Sequence, residues 1–446
     1  MRNNFLNYLK IILPFLIFLI FRSIFFTPII SDETIYINMA KALGEGLLPY
    51  KDFFFAHPIL QLLLLYPITQ TNNFFIVKIF VSIIGLASIF FTYLIAKKIF
   101  DEKSAYISVL FTLFFPGFII FGNLAMGTFE AVLFLLLSFY FLLRGKVFLS
   151  SIFLSLSIFT RYLVLLFLPF IIFYTFKFYK KQFKKFLIFL VLNLTFLSAI
   201  FLLIFGFNFI KDTVFYHFES NIKLPISLAN WILQYLSLGF FTLFICFISL
   251  VFGYFKKDFM LLAFSIFILF YDITILLIFR QVIYHYFAFA IPFLSIVFGR
   301  IFYASKFLEL KFFIILILLL SIISNYRSLI YYFDYTKNLV FDDAANYTLK
   351  LSEKDDLIFG EPRVVNYVSF VTGRKIVNNY FDSDLKFINF YGGDKVLNEI
   401  EKAKPKLLFV DNQHYSFLGP ILNNYKLIKE WNVPEYYHLY LFELNE

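Results

Sequence analysis

Along the first three-quarters of the chain, apolar residues fall in runs of about 17 to 25, the length an α-helix needs to cross the hydrocarbon layer of a bilayer. Short polar segments, mostly basic, separate the runs. The first run, Ile11 to Ile30, follows the basic stretch MRNNFLNYLK and lacks a small-residue cleavage site, so it reads as an uncleaved span with a cytoplasmic N-terminus. Further spans are expected near 74–96, 104–121, 127–143, 147–160, 163–176, 186–206, 228–251, 260–279, 286–303 and 312–330, about eleven in all. The stretch Ile59 to Ile68, with Pro58 before it and Pro67 inside it, is too short to cross and belongs at the interface. This threading places the basic clusters Lys97/Lys98/Lys103, Arg144/Lys146, Lys177 to Lys185, Lys256/Lys257 and Lys306/Lys311 on the cytoplasmic side, as the positive-inside rule asks. The odd count puts everything after about Tyr331 outside. The short spans flanking Arg161 imply tilt, local thinning or an outward-facing cavity.

From Asp334 the pattern changes to short strands, DLIF (Asp356–Phe359), KLLFV (Lys406–Val410) and YHLYLFEL (Tyr437–Leu444), alternating with helical stretches near 342–351, 363–370 and 395–403. The expected organisation is a transmembrane domain over 1–330, with a first outer loop at 31–58, and a small extracytoplasmic α/β domain over 331–446. Gly392-Gly393 reads as a turn before a helix, since one glycine pair does not make a phosphate loop.

Composition agrees with the pattern. Of 446 residues 61% are hydrophobic, 71 are Phe, and only 15% are charged, against about a quarter in soluble domains. A water-soluble globule is excluded. The net charge of +10 lies mainly in the basic loops, so it orients the spans and does not mark a nucleic-acid partner. A single cysteine, Cys246, excludes an intrachain disulfide.

Where charge is this scarce, polar groups at the outer ends of spans and in the outer loops are the candidate chemistry: Asp32, Glu33, Lys51, Asp52, His57, Glu130, Arg161, His217, Glu219, Arg280 and His285. The loop SDETIYINMAKALGEGLLPYKDFFFAHPI, Ser31 to Ile59, is the most informative segment. Ser31 is a good helix cap and Asp32 and Glu33 complement the helix dipole, which by itself accounts for these residues as a well-made helix start. The helix that follows carries Ile35, Met39 and Leu43 on one face, an amphipathic pattern suited to the membrane surface.

A carboxylate pair after the first span, Tyr36 three residues after Glu33, a short helix, a glycine, then Pro49-Tyr50-Lys51-Asp52 and a proline opening the next apolar stretch resemble the polyprenyl-phosphate-dependent GT-C glycosyltransferases. The branch of protein O-mannosyltransferases and aminoarabinose transferases is the most similar. The resemblance covers roughly 1–330. It implies that Asp32 is the catalytic carboxylate and that Glu33 orients Asp32, the acceptor or a metal. It also implies a sugar donor on a polyprenyl phosphate, with membrane lipids around it and a protein, lipid or glycan as acceptor. Arg161 matches a basic position of the family, Arg280 fits another, and Tyr36, Asp52, Glu130, His217, Tyr284 and His285 are possible substrate contacts. Two departures stand out. His57-Pro58-Ile59 replaces the Lys-Pro-Pro of many relatives, so His57 is either a phosphate or acceptor contact or a structural histidine. Glu130 lacks the Arg that relatives place before the corresponding Asp.

Each remaining candidate also has a plain structural reading: a snorkelling Arg161, an aromatic interfacial belt at Tyr284 to Tyr286, and a dipole-complementing Glu130. No cofactor is firmly implied, although Asp32, Glu33, His57, His217, Glu219 and His285 contain enough ligand types for a divalent metal. The multi-pass protein is expected in the cell membrane. The competing classes are a transporter or flippase of lipid-linked sugars, for which Asp272 is the main midspan ion, and a scaffold whose tail binds a partner.

Overall fold

The computed structural model describes residues 32–115, 118, 122, 124–219, 228–278, 284–305, 309, 311–312, 315–316, 319, 323, 335–433 and 437–445. The spans expected at 11–30 and, for the most part, 312–330 lie outside the described residues. The chain divides into two compact units. The first takes its described residues from Lys78 to Ser198 and from Lys223 to Tyr332, and the second from Thr27 to Val77, Ala199 to Ile222 and Phe333 to Glu446.

Helices build the first unit. Phe74–Ile99 and Lys180–Phe205, each 26 residues, are long and apolar enough to cross a bilayer, since at 1.5 Å per residue they exceed a hydrocarbon layer of about 30 Å. Only 11% of the apolar window of Lys180–Phe205 is buried, and Ile188, Val191, Leu192, Phe196 and Leu203 are all exposed. Such a face is costly in water and suited to lipid. Leu228–Lys256, 29 residues, and Phe259–Ile278, 20 residues, are apolar as well, and shorter apolar helices include Thr128–Leu143, Val147–Thr160 and Ile291–Ala304. Two expected spans are interrupted: the helix at 104–121 ends at Phe114, and that at 163–176 opens as a 3-10 segment, Tyr162–Phe167, before Leu168–Phe178. Pro116 limits the backbone of Phe115 to an extended conformation, and Phe115 closes the first of these helices at φ −72°, ψ 125°.

The phenylalanines explain how this unit packs. Phe139, Phe167, Phe170, Phe264, Phe267 and Phe293 come from five helical segments and meet ring to ring, Phe170 stacking on Phe267 with centroids 4.4 Å apart. Several hydroxyls in the helices are satisfied locally: Ser82, Ser88, Thr92, Ser108, Thr112 and Ser295 each donate to the carbonyl four residues earlier. An apolar solvent demands this arrangement. Small residues permit close approach, as where a Cβ added at Gly299 would fall 2.2 Å from Ser108 Oγ. Arg300 ties three ends together by pairing with Asp258 at 3.0 Å and Asp101 at 3.3 Å and lying over the Phe100 ring.

The second unit contains a five-stranded sheet in the order β2-β1-β3-β5-β4. Its strands are β1 (Leu357–Gly360), β2 (Lys375–Ile376), β3 (Leu407–Asp411), β4 (Tyr425–Val433) and β5 (Tyr437–Leu444). β1 pairs in parallel with β2 and β3, while β5 runs antiparallel to β3 and β4. Leu407 to Val410 are wholly buried, which matches their unbroken apolar run. β2 and β4 are additional to the strands expected from sequence. β4 carries Lys426, Lys429 and Glu430 and a bulge between Leu427 and Lys429, devices that suit an edge strand and disguise its alternation. Gly392, at φ 93°, precedes the helix Gly393–Ala403, as the turn reading requires. The core joins sheet and helix residues to the first-loop side chains Phe54 and Ala56 and to Tyr216, which pack with Phe359, Phe387, Leu408 and Val410.

Candidate active site

The Glu33–Gly44 helix opens at Asp32, whose side chain makes no capping hydrogen bond, and Ser31 lies outside the described residues. The two adjacent carboxylates occupy opposite environments. Asp32 is 44% exposed, whereas Glu33 is fully buried. A side chain that exchanges a proton with an incoming acceptor must be reachable, and of the two only Asp32 is.

The expectation of an amphipathic surface helix is corrected. Of its residues only Lys41, Leu43 and Gly44 are not buried, because the Leu60–Thr69 and Pro362–Thr372 helices both pack on it. Thr34 Oγ1 donates to the Arg363 carbonyl at 2.9 Å, Asn38 Nδ2 to Asn366 Oδ1 at 3.0 Å, and Lys41 Nζ to the Phe370 carbonyl at 3.3 Å. A polar partner has absorbed what the sequence pattern offered to solvent.

Three candidate residues cluster in this unit. The Tyr36 hydroxyl lies 3.1 Å from His57 Nε2, and the His57 and His217 rings stack with centroids 5.5 Å apart and planes 28° apart. His217 Nε2 is 2.8 Å from the Ala56 carbonyl, which can only accept, so that nitrogen carries a proton. The Tyr50 hydroxyl donates to the His57 carbonyl at 2.6 Å, holding the bend before Pro58. Asp52 closes a turn by accepting from the Leu48 amide at 2.7 Å.

Other charged groups of this site come from the distant part of the chain, where the sequence offered no motif. Arg363 Nε lies 3.8 Å from Asp32 Oδ1 and 3.6 Å from Glu361 Oε1. Burial, and after it the charges of Asp384 and Asp32, pushes Asp382 well above the usual carboxylate range. Asp384, which caps the helix Leu385–Tyr391, is raised by burial too, and burial lowers Lys386, whose ammonium sits 4.5 Å from the centre of the Tyr216 ring. The signal in the sequence was the segment FDSDLK, Phe381 to Lys386, an acidic pair beside a lysine. Farther in, His414 places Nδ1 2.6 Å from Asp411 and donates Nε2–H to the Ser383 carbonyl at 2.8 Å. Burial alone would lower His414, but its bond to Asp411 outweighs this and raises it.

Asp212 gives a pH prediction. Burial raises it from 3.8 to about 7 against the opposing charge of Lys211, and the Tyr391 hydroxyl donates to it at 3.3 Å. Between these two values the folded protein holds a proton that the unfolded chain has released, so stability falls as pH rises from about 4 to 7. Asp212→Asn removes this dependence. In melts of detergent-solubilised protein the variant should match wild type near pH 4 and exceed it by about 2–4 kcal/mol at pH 8. A constant difference across that range would refute the assignment.

In the first unit Arg161 is buried, which corrects the snorkelling alternative. It donates through Nη2 to the Met126 carbonyl and lies close enough to the buried Glu130 for their charges to interact. Asp272 is fully buried, and among the described residues its carboxylate oxygens have no hydrogen-bond partner. Arg280 lies outside the described residues, and Tyr284 and His285 are placed only as backbone of a short helix, Tyr284–Phe287.

Among the described residues no three His, Cys, Asp or Glu side chains are grouped to hold a metal ion.

Comparison of the sequence with protein-family models and with curated proteins finds no match. Comparison of the fold does. The aminoarabinose transferase ArnT from Cupriavidus metallidurans, bound to undecaprenyl phosphate, superposes with a TM-score of 0.64 at 12% identity, over 98% of this chain and 97% of that one. The chain has the GT-C glycosyltransferase fold. The same GT-C fold relates it to the oligosaccharyltransferase of Archaeoglobus fulgidus. The complex of that enzyme with zinc and sulfate gives a TM-score of 0.53 at 12% identity, over 96% of this chain and 72% of that one. Its complex with an inhibitory peptide and a dolichol-phosphate gives 0.50 at 12% identity, over 98% and 74%.

Proposed function

We propose that the protein is an inverting glycosyltransferase of the cell membrane that moves a sugar from a polyprenyl-phosphate donor to an acceptor on the outer face. The observation that carries this reading is the match of GT-C architecture over 98% of the chain to a structure holding undecaprenyl phosphate. The accessible Asp32 beside a buried Glu33 supports it.

In the proposed reaction the acceptor hydroxyl attacks the anomeric carbon as the bond from that carbon to the phosphate oxygen breaks. The electron pair leaves with the lipid phosphate, and the hydroxyl proton passes to Asp32. A single displacement inverts the anomeric centre. A positioned carboxylate supplies general-base help of about 10²–10⁴-fold. Arg161, Arg280 and His57 are assigned to the phosphate, where negative charge accumulates and a fixed cation stabilises the transition state more than the ground state. Glu33 orients the site, and Tyr36, Asp52, Glu130, His217, Tyr284 and His285 are assigned to substrate contacts. The proposed topology is multi-pass, with a cytoplasmic N-terminus and an extracytoplasmic C-terminal domain.

Mass spectrometry of lipids co-purified with the protein is expected to find an isoprenoid phosphate bearing a sugar. Preparations that bind no isoprenoid phosphate, with or without added lipid, would overturn the reading. The transport alternative has the buried Asp272 in its favour, because a midspan carboxylate is typical of ion-coupled carriers. Movement of a labelled lipid-linked sugar across vesicles without bond cleavage would select it.

A further inference from the structure

We propose that Arg363, far along the chain in the α/β part, is a positioning residue for Asp32. The proposal deepens the transferase reading and rests on it. Two helices meet here in parallel, and the contacts keep a register: Thr34, Asn38 and Lys41 on one helix face Arg363, Asn366 and Phe370 on the other. Spacings of three and four residues put each set on a single helical face. Asn366 is locked in turn, since its Nδ2 also donates to the Phe381 carbonyl at 2.6 Å. The ammonium of Lys41 lies over the Phe370 ring at 5.3 Å. Buried polar bonds of this kind fix one register against sliding.

At the open end of this seam Arg363 touches the Asp32 helix twice, through its carbonyl to Thr34 and through its guanidinium to Asp32. Glu361, at 3.6 Å, divides the same guanidinium nitrogen with Asp32. It is anchored by its own buried position and by accepting the Val364 amide at 2.8 Å. The division matters during turnover. When Asp32 takes the acceptor's proton and becomes neutral, Arg363 stays paired with Glu361 and is not left as an isolated cation. The side chain is therefore held in place through the cycle and presents the same edge to Asp32 when the proton leaves.

Arg363 is 38% exposed and its partner Asp32 44%, so the pair adds little to stability and its loss leaves the fold intact. Arg363→Ala should lower kcat by about 10- to 100-fold, the effect of displacing a catalytic group by a fraction of an ångström to one ångström, with KM for the lipid donor unchanged. Arg363→Lys keeps the cation and should recover most of the rate. Amide exchange in Glu33 to Tyr36 should quicken about two- to fivefold in the Ala variant. Wild-type kcat in Arg363→Ala, with Asp32→Asn inactive in the same assay, would overturn the proposal while leaving the transferase reading intact. An equal loss of folded protein in the Ala and Lys variants would assign Arg363 to folding and overturn it as well. Should the wild-type protein transfer no sugar, the transferase reading fails first, and unchanged exchange in Glu33 to Tyr36 then disposes of the positioning role separately.

Discussion

Replacing Asp32 by Asn should lower sugar transfer from a lipid-phosphate donor by about 10²–10⁴-fold while the protein still inserts and folds. The substitution is isosteric and removes only the basicity of the group. The cost to folding should be small, because Asp32 is 44% exposed, makes no capping hydrogen bond, and engages Arg363 only at 3.8 Å. Binding of the lipid donor should survive, since the proton acceptor is not assigned to the phosphate. The measurement is single-turnover transfer in detergent or nanodiscs, with melting as the control for folding. Transfer at the wild-type rate by the Asn variant would remove Asp32 from the chemistry. Glu33→Gln separates the two neighbours, because Glu33 is fully buried and its effect should extend to stability.

Gly360→Ala should destabilise the second unit by at least about 4 kcal/mol, the range reserved for gross steric conflict. Gly360 ends β1 at φ +139°, a backbone state that side chains other than glycine rarely accept. A Cβ there would fall 1.8 Å from the Phe409 carbonyl oxygen, inside the β1–β3 pairing. Neither strand can move aside, since the Glu361 amide donates to that same carbonyl at 2.7 Å. The helix that begins at Pro362 carries Arg363 and Asn366, so the variant should lose transfer along with its fold. Limited proteolysis and melting provide the check, and a variant as resistant as wild type would contradict the close approach.

Much of this site was legible in the chain because its first part is local. Asp32, Tyr36, Asp52 and His57 lie within one loop, where cap chemistry, a proline and the helical period act over a few residues. Arg363, Asp382 and Lys386 were not legible. They reach the loop only through tertiary folding, and their local sequence reads as an ordinary helix start and a polar turn. The Glu33–Gly44 helix shows the same limit: Asn38 and Lys41 look like a solvent face until Asn366 and Phe370 are placed on it. The three strands expected in the tail came from apolar runs, whereas β4 hid behind edge charges. Arg161 stood out as an ion in an apolar stretch, but its relation to Glu130 needed the fold.

Thr34 and Arg363 are 329 residues apart in the chain, and the second unit is assembled from three separated segments. At a synthesis rate of about 5–20 residues per second, the Glu33–Gly44 helix exists for roughly 15 seconds to a minute before its partner helix has been made. Until then Asn38 and Lys41 lack the partners that cover them, and Asp32 lacks its neighbouring cation. Closing so long a loop is also slow, so Asp32 gains that neighbour late in maturation. A nascent chain stopped short of residue 362 would already hold the helices of the first unit, yet its Glu33–Gly44 helix would still lack the helix that packs on it, and under the role proposed for Asp32 transfer would begin only once synthesis has passed that point.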